Sequence, residues 1–396
     1  MTAEKTSSRF RSIRRSSYSL NVPQSEGKEC SFSVILFFMT INLTEFIRWR
    51  DNNLQRNVKD GRFKMTPMMK VTAIMQYGDD AFDELRIPRP VAAEGQLLIR
   101  NRATGVNNID LMIRRGELAQ AASLPFIPGV EGAGFVETVG AGVSEFEVGQ
   151  RVMWFGPFTA GGYGQFVCID ARYVAPIGEE ITFSAAAATP VAYVTAHHML
   201  FNYGRLRAGS WVLVRSAAGG VGVAALQIAR NAGFRAIALT DKAKHDFVLA
   251  NGAFAAFDYK ESSVFDQAMQ LTGGRGVELC LNAVGGSTIA EDLLLLSPMG
   301  QVISFGHLAG PPTGSAADLL MTHFTKSVGI RVSDIYTYYQ ADPQGLSATL
   351  SSVATDLRAG RIVPQVFDVQ PIATVAKAHA ILETGTVRGK VVISID

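Results

Sequence analysis

The sequence predicts an α/β protein in two parts, a mostly antiparallel β region followed by a doubly wound parallel sheet. Three observations predict it. Short β-rich runs at 71–75, 96–104, 134–139, 151–155 and 163–169 are separated by Gly and Pro clusters at hairpin-like spacing. From about Ser210 the rhythm becomes strand, glycine turn, helix, with strand-like runs at 211–214, 236–239, 278–281, 301–305 and 327–332. Strands alternating with helical stretches build βαβ units on a parallel sheet. The run 211–214 feeds straight into Ala217-Ala-Gly-Gly-Val-Gly222, which opens an amphipathic helix with Val221, Ala224, Ala225 and Ile228 on its apolar side. The tail carries helical patterns from Leu346 and over 371–382, then a last strand from Lys390, and is expected to rejoin the first part.

A chain of 396 residues, 47% apolar and 18% charged, buries a sizeable core in two to three domains. Its formal net charge of +2 provides no basic field for nucleic acid and no acidic field for cationic partners, which leaves small-molecule chemistry as the default. Cys30, Cys168 and Cys280 lie far apart, with no C-x-x-C or C-x-x-H spacing. Neither a disulfide framework nor a zinc knuckle is written there, and a reducing, cytoplasmic setting is expected. Residues 1–66 differ in character. Ser, Arg and Lys dominate 1–28, and the apolar run 32–43 is shorter than the ~18 residues a spanning helix needs. A basic stretch before an apolar one weakly resembles a targeting segment. The competing reading is an upstream start codon or a disordered tail, since Met65, Met68 and Met69 stand just before the first strand.

The glycine turn is the strongest chemical signal. Ala217 takes the first slot of G-x-G-x-x-G, Gly219 the second and Gly222 the third. Gly219 lets a pyrophosphate approach the backbone, Gly222 lets the helix pack on its strand, and the N–H groups of 218–222 (Ala218, Gly219, Gly220, Val221, Gly222) face the anion. This is the turn of a Rossmann nucleotide-binding sheet. Nineteen residues beyond Gly222 stands Asp241, close to the spacing at which an acid bonds the adenine ribose hydroxyls; a carboxylate there favours NADH. Lys242 and Lys244 follow and suit a 2′-phosphate, or else form a solvated helix start.

Further motifs extend over almost all of the chain from Val71 to Ile395. Asn107-Asn-Ile-Asp-Leu-Met-Ile-Arg-Arg-Gly116, Pro128-Gly-Val-Glu-Gly-Ala-Gly134 with Gly149-Gln-Arg-Val152, the glycine turn, and Gly389-Lys-Val-Val392 come in one order. Together they resemble the zinc-independent, quinone oxidoreductase-like branch of the medium-chain dehydrogenase/reductase superfamily. The resemblance implies a GroES-like catalytic domain over 67–190 with 331–396, a Rossmann NAD(P)-binding domain over 191–330, NADPH as the family cofactor, and a homodimer. In zinc-dependent members it would place a cysteine at Asn107, a histidine at Val130 and a thiol or carboxylate near Val191; none of those types is present, so no metal is expected.

The resemblance also implies residue roles. Asn107 lies beside the nicotinamide, Thr195 bonds its carboxamide, Tyr259 meets the adenine-end phosphate, Phe305 and Gly306 border the nicotinamide ribose, and Lys390 reaches the cofactor from the tail. Bland alternatives stand beside them: Asn107 as a chain cap, Thr195 as an ordinary helix residue, and Asp110 with Arg114 as an internal ion pair. His197 is a candidate proton donor, although adjacent His197 and His198 cannot both face one cleft. Relatives carry tyrosines in the active-site segment where this chain has Met112 and Leu118, which favours an apolar acceptor. The expected function is hydride transfer from NAD(P)H to a small quinone or enone, with no nucleic acid and no membrane span involved. The alternative is a nucleotide-binding or partner-binding module with little turnover.

Overall fold

The computed structural model describes residues 67–78, 81–120, 122–204 and 206–396, so the expectations for residues 1–66 lie outside the described residues. The described residues fall in one compact unit, Lys64–Asp396. In chain order its strands are β1 (Met68–Ile74), β2 (Phe82–Pro88), β3 (Gln96–Gly105), β4 (Glu131–Val139), β5 (Arg151–Phe155), β6 (Phe166–Asp170), β7 (Val174–Pro176), β8 (Trp211–Arg215), β9 (Arg235–Thr240), β10 (Ala255–Asp258), β11 (Val277–Asn282), β12 (Leu296–Ser304), β13 (Gly329–Val332), β14 (Val366–Pro371) and β15 (Lys390–Ser394).

β1 and β2 pair antiparallel, and a seven-stranded sheet follows in the order β14-β15-β3-β4-β5-β7, with β6 beside β3. Its pairs are antiparallel except β14 with β15. Leu97, Ile99, Val152, Trp154, Val167 and Ile169 fill its core. The Trp154 indole N–H donates to Asn101 Oδ1 at 3.0 Å, and the Asn101 amide donates to the Gly164 carbonyl at 2.9 Å, so the polar atoms sunk in this core are paired.

The second sheet has the order β10-β9-β8-β11-β12-β13, every pair parallel. β8 is buried along its whole length and β9 along all but its first residue, as expected of strands covered by helices on both faces. The chain leaves β8 toward β9 on one side and returns to β11 on the other. Between β8 and β11 lies the switch point whose carboxyl end forms a ligand crevice in such sheets.

The tail rejoins the first sheet as expected. β15 runs antiparallel to β3, with Val392 opposite Gly105. The helix Val375–Glu383 then packs its buried Val375, Ala378 and His379 inward. The sequence reading does not contain β2, β7, β10 or β14, because each is short or half-exposed and lacks a β-rich run bounded by clear turns. No helix among the described residues is long and apolar enough to cross a membrane.

His379 is sealed against the Tyr163 hydroxyl, 2.9 Å from its Nε2, with the Phe82 ring edge-on at 4.9 Å. Burial pushes its pKa down to about 3. The unfolded chain therefore takes up a proton near pH 6.5 that the folded one refuses, and stability falls as pH drops below that value. Between pH 7 and pH 5 the native protein should lose about 2 kcal/mol more than His379→Gln, measured by chemical denaturation at both pH values. Parallel losses in the two proteins would refute the neutral, buried imidazole.

Candidate active site

The helix Gly220–Asn231 starts at Gly219 with no side chain capping it, so the N–H groups of its first turn remain available to a ligand. A Cβ on Gly222 would lie 2.5 Å from the Ser216 carbonyl oxygen and 2.6 Å from that of Ala217, so the turn itself demands glycine there. A Cβ on Gly219 would meet only the Ser216 oxygen, at 3.4 Å. The protein alone tolerates a methyl at Gly219, so the chain itself does not require glycine there.

The turn is stitched to the tail. The Gly389 N–H donates to the Ala218 carbonyl at 2.8 Å, and Gly219 and Gly389 form a parallel bridge. This register sets Lys390 against Gly220, where a Cβ would sit 2.6 Å from Lys390 Cδ. The Lys390 ammonium points inward and donates to Glu131 Oε1 at 2.6 Å, Asn107 Oδ1 at 2.7 Å and the Val106 carbonyl at 3.0 Å. Glu131 is fully buried; its Oε1 also accepts from the Asn107 amide at 2.8 Å, and its Oε2 accepts from the Val191 N–H at 2.8 Å. The three protons of Lys390 are thus spent on the protein, and the residue fixes Asn107 from behind.

Asp110 is buried and accepts the N–H groups of Asn107 at 2.9 Å and Gly129 at 3.0 Å. Burial pushes its pKa up to about 6. Its carboxylate clamps the active-site segment to the loop before β4. Arg114, expected as its ion-pair partner, makes an ion pair with Glu383 at 2.6 Å.

Thr195 shares a helix face with Val191, one turn beyond the Glu131 contact. Its hydroxyl is buried and has no partner. His197 lies about 200° round the same helix. It lines a separate cavity of about 300 Å³ with Tyr193, Phe201, Asp356 and Arg361, so Asn107 and His197 are not brought together. Phe305 and Gly306 follow β12 at the carboxyl edge of the parallel sheet, where the Phe305 N–H bonds the Asn282 carbonyl at 2.9 Å.

At the far end of the crevice Asp241 accepts the Ala243 N–H at 3.0 Å and pairs with Lys260 Nζ at 2.5 Å. The Lys260 ammonium, with that N–H, holds its carboxyl below the usual carboxylate range. Tyr259 is exposed, with the Lys260 ammonium 5.5 Å from its ring centre. Lys242 is exposed, whereas the Lys244 ammonium is committed to the Gly385 and Val387 carbonyls at 2.6 and 3.1 Å. Arg388 bonds the Ala243 carbonyl at 3.0 Å. Sequence reasoning missed Lys260 and Arg388: they reach this end from the next strand and from the tail, and no local spacing announces them.

An uncapped glycine turn with room for a Cβ at Gly219 and an orphaned buried hydroxyl at Thr195 together fit a nicotinamide dinucleotide. Among the described residues no group of three or more His, Cys, Asp or Glu side chains is placed to hold a metal ion.

Comparison with known proteins agrees with this architecture. Residues 93–179 match the family described as the alcohol dehydrogenase GroES-like domain, and residues 220–350 match the one described as zinc-binding dehydrogenase. The chain belongs to the medium-chain dehydrogenase/reductase superfamily, in its quinone oxidoreductase-like branch. It is 30% identical to the quinone oxidoreductase of Rattus norvegicus over 330 residues, covering 82% of this chain and 98% of that protein. It is 32% identical to the synaptic vesicle membrane protein VAT-1 homolog of Homo sapiens over 318 residues, covering 77% and 80%. Among solved structures, Escherichia coli quinone oxidoreductase complexed with NADPH superposes with a TM-score of 0.75 at 26% identity, covering 82% of this chain and 100% of that one.

Gly219→Ala should leave the melting temperature within about 2 °C while weakening dinucleotide binding at least about tenfold in a fluorescence titration. Gly222→Ala should by itself cost more than about 1 kcal/mol of folding stability. Equal behaviour of the two variants would contradict the separation of roles.

Proposed function

We propose that the protein is a reductase that takes a hydride from NADPH and delivers it to a quinone or α,β-unsaturated carbonyl, without zinc. The observation that carries this reading is the junction of the glycine turn, through Gly389 and Lys390, with the Asn107–Glu131 pair. Two of the positions at which zinc-dependent relatives would carry ligands, Asn107 and Val191, meet on Glu131 and present an amide and a backbone N–H; the third, Val130, precedes Glu131 in the chain. When bound, the cofactor supplies the hydride and the protein supplies orientation and dryness. Asn107, held by Lys390 and Glu131, sets the position of the nicotinamide ring, and the orphaned Thr195 hydroxyl takes its carboxamide. Phe126, Phe158 and Leu118 line one apolar cluster beside the active-site helix and exclude water, which suits an acceptor that spreads charge over its own π system. The final proton comes from solvent.

NADPH is favoured over the NADH that Asp241 suggests. The Asp241 charge is already met by Lys260, and Lys242 and Arg388 add positive charge at the same end. The NADPH complex of the Escherichia coli relative supports this choice. We take 67–190 with 331–396 as the catalytic lobe and 191–330 as the nucleotide lobe of a cytoplasmic homodimer. The competing reading, a nucleotide-binding module with little turnover, draws on the Met112 and Leu118 that stand in place of tyrosines and on the N-terminal extension.

The test is NADPH oxidation by the purified full-length protein against a panel of quinones and enones, with a chelator present. Turnover unaffected by the chelator is expected. Tight NADPH binding with no turnover on any acceptor favours the module, and loss of activity on chelation favours a metal enzyme. Lys260→Ala should raise the NADPH dissociation constant about tenfold and leave that for NADH within about twofold, because Asp241 then faces the 2′-phosphate uncompensated. A uniform effect on both cofactors would show that Lys260 does not read the phosphate.

A further inference from the structure

The active-site segment has Met112 and Leu118 in place of tyrosines, which leaves its own residues without a phenolic donor. The fold brings one from more than two hundred residues away. Tyr336 lies at the start of the helix Ile335–Ala341, just past β13. Its ring is 6.2 Å from those of Phe155 and Phe158, edge-on to Phe158. Phe155 is the register partner of Glu131 across β4 and β5, so Tyr336 stands over the strand that carries the Lys390–Glu131–Asn107 cluster. The charges that act on its hydroxyl include those of Asp110 and Glu131.

That hydroxyl is buried and has no hydrogen-bond partner. The neighbouring carboxylates are already engaged: Glu131 by Lys390, Asn107 and Val191, and Asp110 by the Asn107 and Gly129 N–H groups. The helix that carries the ring is held at several points. Asp334 caps the helix by accepting the Tyr336 and Thr337 N–H groups at 3.2 and 3.0 Å. Further along the helix Tyr338 stacks on His198 at 3.8 Å and Tyr339 stacks on Tyr173 at 4.1 Å. A phenylalanine would fill the same space without stranding a donor, whereas the tyrosine keeps an unsatisfied O–H beside the Phe155 and Phe158 rings. Burial holds its pKa well above the ordinary tyrosine value, so the proton stays on.

We propose that the Tyr336 hydroxyl donates a hydrogen bond to the carbonyl oxygen of the acceptor, stabilising the negative charge that gathers there as the acceptor is reduced. The assignment rests on the reductase reading above. It makes Tyr336 a catalytic residue contributed by the helix after β13, and it explains how a site whose active-site segment lacks tyrosines still offers an oxyanion donor.

The experiment compares the full-length protein with Tyr336→Phe in three measurements. For enones, whose charge concentrates on one oxygen, kcat/KM is expected to fall about 10- to 100-fold, and for electron-poor quinones by less. The NADPH dissociation constant and the melting temperature are expected to stay level or, for the latter, to rise. Menadione binding to the NADP+-loaded protein, which has no hydride to give, is expected to weaken about tenfold in the variant. Unchanged kcat/KM together with unchanged menadione affinity overturns the proposal. Menadione binding that weakens in the variant while the unaltered protein shows no turnover keeps the contact and removes the reductase reading. An unaltered protein that neither turns over nor binds menadione removes both.

Discussion

The structure depends on one buried ion pair. Lys390 and Glu131 meet at 2.6 Å with both side chains almost wholly removed from water. Taking two charges out of water costs several kcal/mol each, and the cost is recovered only when every lone pair and proton is used. Here they are: three donors on Lys390 find Glu131, Asn107 and Val106, and Glu131 closes its remaining valences with Asn107 and the Val191 N–H. Segments separated by as many as 284 positions are thereby fixed to one point. The same return of the chain that carries Lys390 into the cluster sets the Gly389 N–H on the Ala218 carbonyl of the glycine turn.

That constraint joins the two halves of the site. The parallel sheet alone would provide an anion-binding turn, and the antiparallel sheet alone would provide a helix with Asn107 at its start. The tail belongs to the antiparallel sheet through β15 and to the turn through Gly389, so it sets the distance between dinucleotide and catalytic segment. A cationic side chain occupies the centre of the cluster, and what the site can offer an acceptor is orientation, an apolar wall and neutral donors. The hydroxyls of Thr195 and Tyr336 are among the buried donors that have no partner in the described residues.

The readable parts of the sequence were those whose cause is local. The five strands from β8 to β13 that appear as apolar runs, the Ala217–Gly222 turn and the final strand at Lys390 are each written in a few adjacent residues. β10 was not, because Ala255–Asp258 is half-buried throughout and too short for a period. The surroundings of Asp241 were not legible for a similar reason: its position beyond Gly222 is a sequence fact, but its partner Lys260 comes from the end of the neighbouring strand. Asp110 and Arg114 looked like a pair because they are four apart, whereas Asp110 clamps two backbone N–H groups and Arg114 meets Glu383 from the tail. Thr195 and His197, two residues apart, were both assigned to one cleft, and helix geometry separates them. Tyr336 gave no signal at all, since only the return of the chain after β13 carries it to the site.

The proposed role of this junction of turn, tail and Asn107 is to place a reduced nicotinamide for direct hydride delivery to an apolar acceptor, independently of metal. The most direct measurement uses NADPH deuterated at C4 with an enone in the presence of a chelator, followed by mass and NMR analysis of the product. Deuterium at the product's β-carbon, at the same yield with and without chelator, is the predicted result. Product formed only when zinc is supplied, or product carrying no label from either C4 position, would contradict it.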